Sequence, residues 1–364
     1  MEAWKSVEGA SLGALTCIAA LAGIGLVTAV SGAAPGEAWL ALARHGLFLA
    51  LGVGGFFIAF SISTDFARRI VIPVMVGLFL LLCLMLTTGL GKNANGATRW
   101  IQLGPLSLQP SILFQCLWPI ALASWASRDP LRLRDWRQIL KLCVIFFIMI
   151  LPVLLQPDLG SVVILIFVSG VTFFFAGTPP RFLAIMIPAL AVVIFVAALA
   201  FPHVAARLTW LDEPHEQVQA GMQAFHLGGV TGLGPGNGIL KYGKIPEGQT
   251  DFVLAMVAEE WGLLGSLAVW FLFVAFTFFG FRAARQAASR YGVILMGSAT
   301  VMISFQAAYN MAMVTSLMPV KGLPLPFVSR GGSSILALSL LLGVAIKACS
   351  TAPNRRPDVT ELFA

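Results

Sequence analysis

The sequence predicts an all-α, polytopic membrane protein with about ten transmembrane helices, and three observations carry that prediction. Hydrophobic residues make up 58% of the 364 and charged residues only 11%, where a soluble domain carries roughly 25% charged residues. Runs of about 20 apolar residues recur along the whole length, each enough to cross a hydrocarbon core about 30 Å thick. The runs are continuous rather than alternating, which excludes a transmembrane barrel. Backbone groups without water partners must then bond within helices.

In chain order the spans fall at 10–31, 39–63, 70–90, 108–126, 138–156, 160–178, 182–201, 252–281, 290–317 and 332–350. The first apolar stretch, Ala10 to Val30, is longer than a signal-peptide core, and its leader carries Glu2, Lys5 and Glu8. It reads as a retained first helix. Charge sets the orientation of the rest. With the N-terminus inside, 15 of the 23 Lys and Arg lie on the inner side and 8 on the outer. The short loops after spans two, four and eight each follow the positive-inside rule. Ten spans return the C-terminus to the same side. The net charge of +7 is therefore a topology signal, and nucleic-acid binding is not needed to explain it. The five cysteines, Cys17, Cys83, Cys116, Cys143 and Cys349, lie in or at the edge of apolar segments without paired spacing. They read as small hydrophobes rather than a disulfide frame or metal site.

Three outer stretches are polar and rich in Gly and Pro: residues 91–107, 202–251 and 319–331. The second is far above ordinary loop lengths, and such loops are functional or disordered. Trp210, Phe225 and several glycines favour an ordered one. In the first stretch, Asn95-Gly96 is a turn signal. Arg99-Trp100 reads either as an interfacial anchor or as a cation for an anionic headgroup such as a pyrophosphate. Asp158, in Gln156-Pro157-Asp158-Leu159-Gly160, either has a structural role, capping span six or pairing a cation, or belongs to a functional site.

The long loop ends in Glu247-Gly248-Gln249-Thr250-Asp251-Phe252, where Thr250 or Asp251 would make a sound N-cap. Glu259 then lies about 12 Å deeper and about 80° round from Asp251, with Glu260 on the opposite face. Two buried acids below one at the mouth suggest a polar cavity. In the third stretch the prolines 319, 324 and 326 prevent a regular helix. Lys321 and Arg330 bring positive charge beside Gly331-Gly332-Ser333-Ser334, where span ten begins and its amides could face an anion. A simple re-entrant turn is the other reading of that stretch. The glycines from Gly232 to Gly238 superficially suggest a nucleotide loop, but no strand precedes them and no Gly-Lys-Ser/Thr follows, so no nucleotide is expected.

These blocks, in this order, resemble the SEDS family (shape, elongation, division and sporulation), and its FtsW branch more than its RodA branch. The resemblance spans nearly the whole chain through Asn95–Gly104, Gln156–Gly160, Gln217–Gly234, Ile245–Gly265 and Pro319–Ser334. It implies one membrane domain over residues 1–364, with the large extracytoplasmic loop between helices 7 and 8. The implied activity is that of an inverting peptidoglycan glycosyltransferase, which polymerises lipid II with undecaprenyl pyrophosphate as leaving group, in cell division. The implied partners are a class B penicillin-binding protein and divisome or elongasome membrane proteins. The implied location is the bacterial cytoplasmic membrane, with both termini inside. The family's essential acid falls on Asp251. The substrate-binding set that the resemblance and the chemistry suggest is Arg99, Asp158, Arg207, Gln217, Glu247, Lys321, Ser329, Arg330 and Ser333. The leaving pyrophosphate needs positive charge, from Arg207 and Lys321 above all, or from a divalent cation such as Mg or Mn.

One departure from the family pattern stands out. Where relatives carry Glu and Lys at the start of span four, this chain has Ile112 and Gln115, and Arg330 stands where an aromatic is common. Losing both charges together leaves no unpaired buried ion. Either the site is rebuilt, with Arg330 replacing the lost cation, or this member has become a scaffold for its transpeptidase. A lipid II flippase is the third reading, motivated by Glu259, Glu260 and the broken outer helices.

Overall fold

The computed structural model describes residues 9–34, 36–89, 91–94, 97–103, 106–129, 133, 135–156, 158–180, 184, 216–240 and 248–351. Helices α1 (Gly9–Ser31), α2 (Ala38–Ser61) and α3 (Thr64–Thr88) come first. Strands β1 (Lys92–Ala94), β2 (Ala97–Leu103) and β3 (Leu106–Leu108) follow. Then come α4 (Pro110–Ala126), α5 (Trp136–Leu155), α6 (Leu159–Phe175), α7 (Glu216–Gly228), α8 (Val253–Gln286), α9 (Arg290–Val314) and α10 (Gly332–Ser350). Seven of these helices are long and apolar enough to cross a membrane, with α4 and α6 shorter but apolar. The chain is a multi-pass membrane protein, as predicted. The predicted span 182–201 lies outside the described residues.

Local signals place the boundaries. Ser63 accepts a hydrogen bond from the Phe66 amide and Ser289 one from Gly292, so each caps the helix it precedes. Pro110 occupies the first turn of α4, where its missing N–H costs nothing. Gly89 closes α3 at φ 67°, a left-handed position that glycine occupies without strain.

Burial separates centre from periphery. The apolar windows of α9 and α10 are 72% and 78% buried, while those of α2, α3 and α5 are 22% buried. The first pair therefore forms the core, and the others turn their apolar side chains toward lipid. Phe167 of α6 stacks on Phe305 of α9 at 3.9 Å between ring centres. Trp118 of α4 donates its indole N–H to Ser169 of α6 at 2.8 Å, which satisfies two polar groups in a dry interior. Gly25 lets α1 approach the segment 319–331, since a Cβ there would lie 2.5 Å from the Val328 carbonyl oxygen.

The first outer stretch is not a plain loop. It forms a small antiparallel sheet in the order β1-β2-β3, with Ala94 opposite Ala97. Asn95 and Gly96, the turn signal of the sequence, lie outside the described residues. Periodicity did not reveal the sheet because β1 and β3 are three residues each.

The largest departure from a simple bundle is in α8. Gly262 breaks the helix at φ 70°, ψ −163°. In an unbroken helix Leu263 and Leu264 would donate to the Glu259 and Glu260 carbonyls. Here those amides donate instead to Gly229 and Val230, at 2.9 and 3.2 Å. The two carbonyls accept from Leu233 and Gly234, at 3.0 and 2.9 Å. Residues 229–234 thus dock into the break, and four bonds to this loop replace two helical ones. Irregular backbone at membrane depth is tolerated when it is satisfied by protein in this way. The glycine-rich stretch once suggestive of a nucleotide loop is this docking segment.

Candidate functional site

The site is assembled where the start of α8 meets the segment 319–331. Neither Thr250 nor Asp251 caps α8, contrary to the sequence expectation; the N-cap is Phe252, without a side-chain cap. Both residues are held through their backbones. Asn310 of α9 donates from one Nδ2 to the Asp251 carbonyl and to the Leu323 carbonyl, each at 2.7 Å. Ser329 donates to the Thr250 carbonyl and accepts from the Leu325 amide. Arg330 bonds Gln249 twice, amide to carbonyl at 2.9 Å and guanidinium to side-chain oxygen. Gln249 in turn donates to the Gly32 carbonyl at 2.8 Å, tying the assembly to α1.

These ties set the Asp251 carboxylate against the Lys321-Gly322 step. A Cβ built on Gly322 would lie 3.3 Å from Asp251 Oδ2, a contact tighter than ordinary, so a hydrogen there keeps room for the acid. The Lys321 ammonium sits 5.7 Å from the centre of the Tyr309 ring, within cation–π range. Three side chains of α9 support the segment from below. Gln306 donates to the Pro324 carbonyl at 2.9 Å, Tyr309 to the Pro319 carbonyl at 3.1 Å, and Asn310 to Leu323. Replacing Asn310 by Leu removes two bonds to otherwise buried carbonyls. The expected cost is about 2–3 kcal/mol, read as a lower unfolding midpoint in detergent.

A crevice opens beside this assembly, bounded by α4, α6, α9, α10 and the residues from Gly322 to Pro324. Ile112 and Gln115, the positions where the family pattern has charges, line it. Arg330 does not replace the lost cation there. It lines a second crevice with Gly25, Thr28, Gln249 and Val328. Burial pulls its guanidinium below the ordinary arginine value, with Arg44 adding to the effect and Glu37 opposing it.

The other predicted residues resolve as follows. Asp158 caps α6, accepting from the Ser161 amide at 3.3 Å, and it also takes Ser161 Oγ at 2.8 Å, Ser111 Oγ at 2.9 Å and Gln109 Nε2 at 3.1 Å. It is a structural hub that joins α4 to α6. Asp158→Ala removes the acceptor of four buried donors, and a loss of about 3 kcal/mol is expected in thermal unfolding. Arg99 donates to the Gln156 carbonyl at 2.7 Å, which pins β2 to the end of α5. Ser333 donates to the Ser107 carbonyl and accepts from the Gln109 amide, both at 3.0 Å, and so joins α10 to the sheet. Gln217 is half-buried on α7. Arg207 and Glu247 lie outside the described residues.

The two deep acids, Glu259 and Glu260, sit at adjacent helical positions before the break, and their carboxyl groups converge on Gly238. A Cβ at Gly238 would lie 2.8 Å from Glu259 Oε2 and 3.1 Å from Glu260 Oε1. Both carboxyl groups turn toward the docked loop, where Glu259 Oε1 accepts the Ile239 and Leu240 amides at 2.6 and 2.9 Å. The reading of a polar cavity beneath Asp251 gives way to a loop anchor. Gln306, Tyr309, Asn310 and Gln249 escaped the sequence reading. The available signal was the spacing of Gln306 and Asn310, one turn apart in an otherwise apolar span, where buried polar side chains must serve some contact.

No group of three or more His, Cys, Asp or Glu side chains comes together among the described residues to hold a metal ion. Comparison with known proteins agrees with this architecture. A probable peptidoglycan glycosyltransferase FtsW of Nitrosococcus halophilus is 37% identical over 352 residues, covering 90% of each chain. Its counterpart in Alcanivorax borkumensis is 34% identical over 325 residues, covering 85% of this chain and 84% of that one. Among solved structures, a chain of a peptidoglycan synthase complex that coordinates polymerization and crosslinking superposes with a TM-score of 0.77 at 29% identity, covering 92% of this chain and 96% of that one. The rod shape determining protein RodA of Thermus thermophilus gives 0.69 at 28% identity, with coverage of 92% and 95%. The FtsW/RodA/SpoVE cell cycle protein model matches residues 11–352, and the chain belongs to that family.

Proposed function

We propose that this protein is a peptidoglycan glycosyltransferase that polymerises lipid II during cell division. The observation that carries the reading is the Asp251 carboxylate, fixed through Asn310 and the segment 319–331 beside Lys321-Gly322. Forming a β-1,4 link from an α-linked donor inverts the sugar carbon. The acceptor hydroxyl attacks C1, the C1–O bond to the pyrophosphate breaks, and Asp251 takes the hydroxyl proton. Lys321 supplies positive charge for the leaving pyrophosphate.

A divalent ion fits this site only as a shared ligand. Asp251 is a single carboxylate, and no cluster of three ligands stands among the described residues. That suits Mg or Mn held jointly with substrate phosphate oxygens rather than in a protein cage. If bound, it would neutralise charge on the leaving group. The family neighbour in a synthase complex supports a class B penicillin-binding protein as partner. The charge balance supports the bacterial cytoplasmic membrane with both termini inside.

The neutral pair Ile112 and Gln115 favours one competing reading, a scaffold that positions a transpeptidase. Purified protein with its class B partner, incubated with lipid II, separates the two. Glycan strands resolved on a gel support the enzyme. No strands, where a polymerising relative makes them under the same conditions, supports the scaffold. Lipid II translocation in liposomes without polymer would instead support a flippase.

A further inference from the structure

Two buried polar side chains face the crevice beside Asp251 without a partner of their own. Gln115 is 4% exposed and Ser334 is 4% exposed. Neither side chain makes a hydrogen bond among the described residues, while both line the crevice. Their neighbours differ in this respect. Ser161 and Gln109 are committed to Asp158, and Gln306 to the Pro324 carbonyl. Buried amides and hydroxyls are ordinarily satisfied, so an amide and a hydroxyl left open toward one space point to something that fills it.

The lining restricts what that is. Among the described residues no charged side chain borders the crevice, so an ionised group would lie there without a counter-charge from them. Its inner space admits a water or one small polar group rather than a sugar ring. Ile112, Leu323 and Pro324 form an apolar wall beside the two polar groups. Gly322 borders the crevice and also meets the Asp251 carboxylate, so the crevice lies beside any molecule that reacts at Asp251.

The geometry points to a specificity site for the acetamido group of an N-acetylated sugar, resting on the glycosyltransferase reading above. An acetamido group is neutral, offers one N–H and one carbonyl, and ends in a methyl. The Gln115 side-chain oxygen can accept from that N–H, and the Ser334 hydroxyl can donate to the carbonyl, which points the other way in a trans amide. The methyl lies against Ile112 and Leu323. A sugar hydroxyl would satisfy the polar pair but leave the apolar wall unused.

The test is saturation kinetics of the protein with its class B partner on lipid II and on an analogue whose acetamido groups are replaced by hydroxyls. The wild type is expected to show about a tenfold higher KM for the analogue. Gln115→Leu should raise KM for lipid II about tenfold with kcat little changed, and should lose most of the discrimination between the two substrates. Ser334→Ala, which removes one oxygen, should shift both quantities in the same direction and decides the matter if Gln115→Leu does not fold. An unchanged KM in the folded variants, or discrimination that persists in them, means the crevice holds only water and overturns the proposal. A wild type that makes no polymer from lipid II overturns the glycosyltransferase reading first, and this site falls with it.

Discussion

Asp251→Asn is expected to lower lipid II polymerisation by about a hundred- to ten-thousand-fold while leaving the protein folded and able to bind substrate. The substitution is isosteric. It keeps the backbone carbonyl that Asn310 holds at 2.7 Å and the close approach to Gly322. What it removes is the capacity to take a proton. An amide can accept a hydrogen bond from the attacking hydroxyl but cannot remove its proton, so the loss should fall on kcat rather than on KM. Initial rates over a range of lipid II concentrations check this. A variant with a raised KM and normal kcat would make Asp251 a binding residue only.

Gly232→Val is expected to prevent accumulation of folded protein. Gly232 sits at φ 81°, and a Cβ on it would lie 2.2 Å from the Glu260 carbonyl oxygen. Both the strained backbone and the clash with rigid main chain oppose any side chain, and together they should cost about 4 kcal/mol or more. The damage would spread, because the loop supplies the partners of the broken turn of α8. Losing them leaves two amides and two carbonyls bare at membrane depth. Gly236 provides the control. Its φ is also 81°, yet nothing lies within 4 Å of a Cβ there, so Gly236→Ala should cost only about 1 kcal/mol. Folded yield in detergent distinguishes the two.

The spans among the described residues were legible because each is a local property: about 20 apolar residues, bounded by charge or a cap, identify themselves without reference to the rest of the chain. Asp251 stood out through resemblance and through its place at a helix mouth. Its surroundings did not. Asn310 is 59 residues away and Ser329 is 79 from Thr250, and no local pattern announces such pairings. Arg330 shows the same limit. As a cation on the outer side it invited a role beside Gln115, but its partner is Gln249 and its crevice is a different one. The helical wheel assumed a continuous α8, which Gly262 interrupts just past Glu259 and Glu260, and the loop that Glu259 meets lies 20 residues earlier in the chain. An isolated glycine in an apolar run does not distinguish packing from a break. What settles it is the loop 229–234 docked alongside, a tertiary fact.

The account turns on Asp251 as the base of an inverting glycosyl transfer, and product stoichiometry measures that most directly. Lipid II would be incubated with the wild type and with Asp251→Asn, each with the class B partner, counting undecaprenyl pyrophosphate released and new β-1,4 links formed. The account predicts one pyrophosphate per link in the wild type, and neither product above background in the variant despite retained lipid II binding. Links formed by Asp251→Asn at the wild-type rate would contradict it.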